Sequence, residues 1–398
     1  MAVFSDFPPE IVLLIVSLQT RVTVLDPHRR LVGSVEDHIP CEPELVPDLP
    51  TINSLSQTNI ASHRTVDRTL YKLCASVEAL GKLAVLFAVE NQLEGTLDKF
   101  LVAKVRLGEM DFCGSSLLHI AADLGFRTMI VKLLGMYDEE MVYRRRYMSS
   151  QTALNCAVWR GDMEIVRLLA PISPSAVPHP DRSHQDYLSA ALIEAVNAEN
   201  VEISAYLISE GADVNFMGIF TPLYCAVAAN TPALVQLLLA SGAHPDGHTK
   251  DSSPFIPLCI AAQLGYLDIA QVLVEGGADI HMRGPRPKNV LLECTNIELL
   301  RFFLERGVDP NNEDRNGNTT LHTVCGKRHA EYGTAFIELL CQFGTVPDKT
   351  NSILRTTVDF ALTNGLPHIV EIVEPYVQTP TLQARISRWR ERRKKAET

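Results

Sequence analysis

The sequence lacks the features by which enzymes, metalloproteins and membrane proteins are usually recognised. Its 398 residues contain no glycine-rich phosphate loop, no nucleophile elbow and no His-Glu-x-x-His pattern. Its nine cysteines form no Cys-x-x-Cys pair, and we interpret five of them as small buried hydrophobic residues rather than zinc ligands: Cys156, Cys225, Cys259, Cys294 and Cys325. The apolar run from Ile11 to Ile15 is too short to cross a bilayer, and Asp6 and Glu10 stand where a secretory signal would carry positive charge. We therefore expect an intracellular protein of the cytoplasm or nucleus, with no catalytic site, no metal and no cofactor.

Positive charge is scarce except near the C-terminus. The chain has 36 Lys and Arg against 47 Asp and Glu, a net charge of −11, which argues against nucleic acid as a partner. The basic tail, residues 378–398, carries seven Lys and Arg between Ala384 and Lys395. Three interpretations of this tail stay open, namely a solvated or frayed helix, a nuclear-import signal, and docking onto the acidic body.

What the sequence does contain is an internal repeat. The stretch from Phe220 to Asp246 returns, 35 residues later, as the stretch from Phe255 to His281. Thr221 is suited to cap a helix that begins at Pro222, and Gly265 is suited to end the equivalent helix in the second copy. Neither of the two short helices in each copy can bury its apolar face alone, so the copies must stack.

This pattern resembles the ankyrin repeat. The resemblance is carried by TPLYCA at 221–226, LLHIAADLG at 117–125, ISEGADVN at 208–215 and LERGVDPN at 304–311. It implies an all-α solenoid of about nine helix pairs over residues 80–377, with atypical units at both ends. The leucine of Thr-Pro-Leu, or its equivalent, marks the register at intervals of 30 to 38 residues: Val85, Leu118, Leu154, Leu192, Leu223, Leu258, Leu291, Leu321 and Val358.

Residues 1–75 resemble the two halves of an F-box. The first half is Phe7–Ile11 with Ile15, and the second is Ile52–Asn59 followed by Leu70 and Tyr71. Family members join the halves almost directly, whereas here residues 20–48 intervene as a predicted loop, which is a tolerated insertion, a retained intron or a sign of degeneracy. The order of the two modules resembles F-box ankyrin proteins of filamentous fungi. A helical cap over the first repeat is the alternative for these residues.

The F-box resemblance implies binding to the Skp-type adaptor of a cullin–RING ubiquitin ligase. The adaptor-contacting residues that it implies are Pro8, Pro9, Glu10, Ile11, Ile15 and Leu55.

The turns that follow each Gly-Ala-Asp are the predicted contact points for an unknown protein substrate, because apolar side chains in turns indicate an interface. The residues predicted there are Phe216, Met217, Ile219, His248, His281, Met282 and Arg283.

Two further features are less specific. Residues 171–187, rich in proline, and Arg144–Arg146 are interpreted as solvated loops or as a binding loop. Trp159 is interpreted as a packing residue, although an exposed tryptophan could anchor a partner.

No catalytic constellation competes with a binding role. His119 and His322 occupy the histidine of Thr-Pro-Leu-His, which in this family ties loops together. Asp213, Asp279 and Asp309 are expected to bond backbone N–H groups in the turns. We therefore predict a non-enzymatic protein–protein interaction module, either a substrate-recruiting subunit of a cullin–RING ligase or a scaffold with a degenerate F-box.

Overall fold

The structure is a computed structural model. It describes residues 20–23, 44–47, 85–86, 88–89, 92–103, 115–137, 139–145, 151–170, 184–247, 256–282, 290–325 and 329–397. By their contacts the residues form two units, Met1–Glu194 and Ala195–Thr398.

Helices, most of them short, form nearly all the regular structure in the described ranges. They are α1 (Glu94–Val102), α2 (Leu117–Leu124), α3 (Arg127–Leu134), α4 (Glu139–Val142), α5 (Ala153–Arg160), α6 (Met163–Leu169), α7 (His184–Asn197), α8 (Val201–Ser209), α9 (Pro222–Ala228), α10 (Pro232–Ala240), α11 (Pro257–Leu264), α12 (Leu267–Glu275), α13 (Val290–Glu293), α14 (Ile297–Glu305), α15 (Thr320–Cys325), α16 (His329–Gln342), α17 (Thr357–Thr363), α18 (Pro367–Val373) and α19 (Pro380–Glu397). A single 3₁₀ turn, Glu374–Tyr376, lies between α18 and α19.

The helices pack as stacked pairs. In the first unit α2 pairs with α3 and α5 with α6, while α2 contacts α5 and α3 contacts α6. In the second unit α9, α11, α13, α15 and α17 contact one another in succession, and α8, α10, α12, α14, α16 and α18 form a parallel row. First helices thus touch first helices and second helices touch second helices, which confirms the predicted helical-repeat solenoid.

The core of each unit is built from the residues that mark the repeat. All nine marker residues are buried, from Val85 to Val358. Burying a leucine side chain stabilises the fold by about 1.5–3 kcal/mol, so a buried marker in each successive pair holds that pair against its neighbours.

Local sequence signals explain where the helices begin and end. The hydroxyl of Thr221 accepts the backbone N–H of Tyr224 at 3.2 Å, and Pro222 is the first residue of α9. Gly265 ends α11 in the left-handed conformation with φ +83°. The helix α12 ends before Gly276, and its residues Ile269 and Leu273 are buried.

The segment predicted as a loop at 20–48 contains two strands among its described residues. Strand β1 (Thr20–Thr23) pairs antiparallel with β2 (Glu44–Pro47), with Thr20 opposite Pro47. This small sheet differs from the expected loop, and it places the two ends of the segment side by side.

The second predicted loop also differs in its last residues. His184–Tyr187 form the first turn of α7 rather than a loop. The hydroxyl of Tyr143 shares a hydrogen bond of 2.9 Å with Nδ1 of His184, and the guanidinium of Arg145 lies 5.4 Å from the ring centre of Tyr187. Arg145 is therefore packed on an aromatic ring, because its guanidinium is attracted to the ring face.

The basic tail is a helix docked on the last pair. In α19, Leu382 and Ile386 are buried. Arg385 forms an ion pair with Asp359 of α17. A guanidinium nitrogen of Arg393 lies 3.7 Å from a carboxylate oxygen of Glu371 of α18. Of the three interpretations of the tail, the structure supports docking onto the acidic body.

The docking of α19 contributes to the pKa of the Asp359 carboxyl group. Burial alone would raise the pKa of Asp359, but hydrogen bonds from the backbone and side chain of Thr356, together with Arg385, outweigh burial and lower it.

Candidate functional site

The turn that leads into α9 displays apolar side chains to solvent. A carboxylate oxygen of Asp213 accepts the N–H of Asn215 at 2.9 Å, and its backbone carbonyl accepts the N–H of Phe216 at 3.1 Å, which closes the turn. Beyond this closure Phe216 is half-buried, Met217 is 42% exposed and Ile219 is 86% exposed. Large aliphatic side chains at such exposure add little to the fold, because they remain in contact with water.

Hydrogen bonds between neighbouring turns hold this surface rigid. The amide of Asn215 donates to the carbonyl of Gly242 at 3.0 Å and accepts the N–H of His244 at 2.8 Å. One turn further on, a carboxylate oxygen of Asp246 accepts the N–H of Asp279 at 2.8 Å. Three consecutive turns are therefore linked along one edge of the second unit.

The linkage also places two carboxylates near each other. Burial, and to a lesser degree the charge of Asp279, raise the pKa of Asp246, while the hydrogen bond from the N–H of Asp279 opposes the shift.

The predicted partner-binding residues fall on this edge in part. Phe216, Met217 and Ile219 share the first of the linked turns, and the third holds an exposed His281 and a half-buried Met282. The remaining predicted residues lie outside the described residues: His248, Arg283, and the adaptor set Pro8, Pro9, Glu10, Ile11, Ile15 and Leu55.

An aromatic pair beside the first turn was not predicted from the sequence. The rings of Phe220 and Tyr224 stack with centroids 4.4 Å apart, and both residues are half-buried. Burial raises the pKa of the Tyr224 hydroxyl. The signal available in the sequence was a tyrosine at the position where the repeat pattern has histidine. Together with Ile219, these rings widen the apolar surface at this turn.

A second exposed aromatic residue lies on the first unit. Trp159 of α5 is 54% exposed, which differs from the predicted packing role. Its indole N–H donates to a carboxylate oxygen of Glu194 at 2.9 Å, and the adjacent Arg160 donates to the carbonyl of Asp123 at 2.9 Å. The indole is thus held in one orientation with half of its surface in water, a combination that suits an interface anchor.

The two histidines at the Thr-Pro-Leu-His position of the repeat, His119 and His322, have structural roles. His119 shares hydrogen bonds with the hydroxyl of Ser116 at 2.7 Å and the carbonyl of Gln151 at 3.1 Å. His322 does the same with Thr319 at 2.8 Å and the carbonyl of Arg355 at 3.2 Å. Both imidazoles tie a first helix to the turn of the next repeat, as the resemblance implied.

The described residues also bear on metal binding, membrane insertion and the environment of the cysteines. Among them no group of three or more His, Cys, Asp and Glu side chains could hold a metal ion. Within the same ranges every helix is too short or too polar to span a bilayer. Of the five cysteines that we expected to be small core residues, Cys156, Cys225, Cys294 and Cys325 are buried, whereas Cys259 is half-buried.

The stacked helix pairs and their linked turns define a helical-repeat protein. The family model described as "Ankyrin repeats (3 copies)" matches residues 154–251 and 192–283. The ankyrin repeat protein FPV230 of Fowlpox virus (strain NVSL) is 31% identical over 147 residues, which are 34% of this chain and 73% of the viral protein. The chain belongs to the ankyrin-repeat family.

Two other similarities differ from this one in extent. The transient receptor potential cation channel subfamily A member 1 homolog of Caenorhabditis elegans is 31% identical over 119 residues, 29% of this chain but only 10% of that protein. The crystal structure of the ankyrin repeat domain of Bcl-3 superposes with a TM-score of 0.47 at 24% identity, covering 55% of this chain and 96% of the other. The repeats make the chain a protein–protein interaction module.

Proposed function

We propose that the linked turns between Asp213 and Met282 bind a protein substrate and that the N-terminal segment couples this substrate to a cullin–RING ubiquitin ligase. The observation that carries the binding part is the exposed turn at Met217 and Ile219, held in place by hydrogen bonds that extend across three repeats. A rigid apolar surface loses little conformational entropy on binding, which favours affinity.

The ligase part is supported by the F-box-like residues between Phe7 and Tyr71, which lie outside the described residues. The pairing of β1 with β2 adds one argument, because Thr20 and Pro47 are partners in the sheet. An insertion whose two ends lie side by side need not separate the segments that flank it. In this role the protein acts by proximity, raising the local concentration of the substrate near the ligase.

The second candidate is a scaffold that binds its partner without ligase coupling. Its support is that similar repeats occur in proteins as different as a viral ankyrin repeat protein and a cation channel homolog. The same fold therefore serves many purposes, and the effect of binding depends on what accompanies the repeats.

A binding measurement with a purified Skp-type adaptor and the full chain separates the two. We expect the adaptor to bind the wild-type chain, and the double substitution Pro9→Ala with Ile11→Ala to abolish binding. Ile219→Ser is the matched control, because a turn in the second unit should leave the adaptor contact unchanged. Absence of adaptor binding by the wild-type chain would leave only the scaffold.

A further inference from the structure

The last turn of the array, residues 351–355, carries two large aliphatic side chains at its tip. Ile353 is 66% exposed and Leu354 is 81% exposed. We propose that this tip, which we name the Ile-Leu tip, inserts both side chains into an apolar pocket with an acidic rim on a protein partner. The inference depends on the protein-binding role of the repeats but not on ligase coupling.

The preceding repeat contains the same turn in polar form and serves as an internal reference. In it a carboxylate oxygen of Asp314 accepts the N–H groups of Asn316 at 2.7 Å and Asn318 at 2.8 Å. The carbonyl of Asp314 accepts the N–H of Gly317 at 3.0 Å. The residues at the tip, Asn316 and Gly317, are those that such a turn prefers.

The Ile-Leu tip repeats this frame residue by residue. The side-chain oxygen of Asn351 accepts the N–H groups of Ile353 at 3.1 Å and Arg355 at 3.0 Å. The carbonyl of Asn351 accepts the N–H of Leu354 at 2.9 Å. The two turns therefore share the same hydrogen-bonded backbone, although Ile353-Leu354 occupies the positions that Asn316-Gly317 holds in the reference turn.

This replacement strains the backbone. Gly317 has φ +71° and Leu354 has φ +58°, a left-handed conformation that glycine adopts freely and leucine rarely does. The glycine also meets a steric need, since a Cβ on Gly317 would lie 3.0 Å from the backbone nitrogen of Ser352.

The strain at Leu354 is not offset by packing, because neither tip side chain is buried. Strained residues that persist without a structural benefit occur preferentially at functional sites. A role in binding explains both the exposure of the two side chains and the strain at Leu354.

The charges around the tip indicate the chemistry of the partner. Exposed Arg355 directly follows the two aliphatic residues. The reference turn carries exposed Arg315 beside Asp314, whose carboxylate accepts N–H groups of its own turn. The N–H of Ser352 donates to the carbonyl of Asn316 at 2.8 Å, so the two turns are held together. An apolar anchor beside guanidinium groups fits a pocket with carboxylates at its rim.

A bilayer fits these observations less well than a protein pocket. The reference turn next to the tip is polar from Asp314 to Asn318, so only two aliphatic side chains would enter the lipid. The net charge of the chain is −11, which opposes approach to an anionic membrane.

The test begins with the double variant I353N/L354G, which converts the Ile-Leu tip into the reference turn. Because glycine relieves the left-handed strain, we expect a thermal midpoint no lower than that of the wild type and up to about 3 °C higher. If the double variant had a lower thermal midpoint than the wild type, the single variant Leu354→Gly would replace it in the binding test. This variant removes one of the two anchoring side chains and relieves the backbone strain.

The partner is sought with a photo-crosslinking benzophenone amino acid at position 353 of the full chain, with the same label at position 316 as the matched control. We expect a protein adduct from 353 and none from 316. The adduct protein, once purified, should bind I353N/L354G at least tenfold more weakly than wild type and bind Ile353→Leu within about twofold. The crosslinked peptide should border an apolar pocket with acidic residues.

Four results would overturn the proposal. They are no adduct from 353, equal affinity for wild type and I353N/L354G, an adduct with a second copy of this chain, and tip-dependent sedimentation with phosphatidylcholine–phosphatidylserine vesicles. None of these bears on the adaptor experiment, which uses Pro9 and Ile11, so the two proposals fail separately.

Discussion

Leu258 and Ile219 are both aliphatic and both belong to the second unit, yet they experience different environments. Leu258, on α11, is buried between neighbouring first helices, whereas Ile219, in a turn, is 86% exposed. The first helices keep the same residue types from repeat to repeat because each must fit the helix before and after it. The turns need only preserve a hydrogen-bonded backbone, so their tips are free to differ and to acquire a binding role.

The largest loss of stability is expected from truncating a buried marker residue. We expect Leu258→Ala to lower the free energy of unfolding by about 2–5 kcal/mol, because it leaves a cavity between α9, α11 and α13. Urea denaturation followed by circular dichroism measures this cost. A cost below about 1 kcal/mol would mean that the first helices are not tightly packed.

A smaller effect is expected at His322, which joins a first helix to the turn of the next repeat. Its replacement by Ala leaves the carbonyl of Arg355 and the hydroxyl of Thr319 without this partner, at a cost of about 1–3 kcal/mol. Thermal unfolding at pH 7.5 measures the loss, and Thr323→Ala on the same helix serves as a nearby control.

The same residue predicts a dependence on pH. Burial lowers the pKa of His322 in the folded protein, despite hydrogen bonds and acidic neighbours that oppose the shift. The unfolded chain therefore binds the proton more readily, so this contribution to stability is complete above about pH 6.5 and is lost as the pH falls through the folded pKa. The His322→Ala variant should show a shallower loss of thermal stability between pH 7 and pH 5, and an unchanged slope would contradict the assignment.

The smallest effect on stability is expected at the exposed turn. Ile219→Ser should change the free energy of unfolding by no more than about 0.5 kcal/mol, since the side chain is already in water. Its effect should appear instead in the affinity for a substrate protein. A large loss of stability would show that the turn is part of the core.

The helical array was predictable because periodicity and caps act over a few residues. Thr221, Pro222 and Gly265 set the ends of α9 and α11, and the marker leucines set the face that is buried. The docking of α19 was not predictable in the same way. Its ion pairs, which join Arg385 to Asp359, Arg390 to Glu374 and Arg393 to Glu371, depend on residues that the fold brings together. A count of charges shows that the tail is basic but not which acidic groups it meets.

The candidate site was predictable in part, from the position of the turns after Gly-Ala-Asp and from an apolar pair in one of them. Phe216 and Met217 were found in this way, whereas the Phe220–Tyr224 stack depends on the backbone path between the turn and α9. The Ile-Leu tip was accessible in principle, since aligning Asp314–Asn318 with Asn351–Arg355 shows leucine in place of glycine. The period of the apolar residues does not reveal the leucine at this position, because the strain lies in the φ angle of one residue.

The docked helix α19 also bears on self-assembly. A stack of repeats whose last pair is uncovered can add the first pair of another molecule, and head-to-tail addition without closure gives filaments. Here Leu382 and Ile386 cover that flank, and the side of α19 turned to water carries Arg388, Arg392 and Lys395. Head-to-tail addition at this end would first require release of the helix, whose ion pairs weaken in concentrated salt.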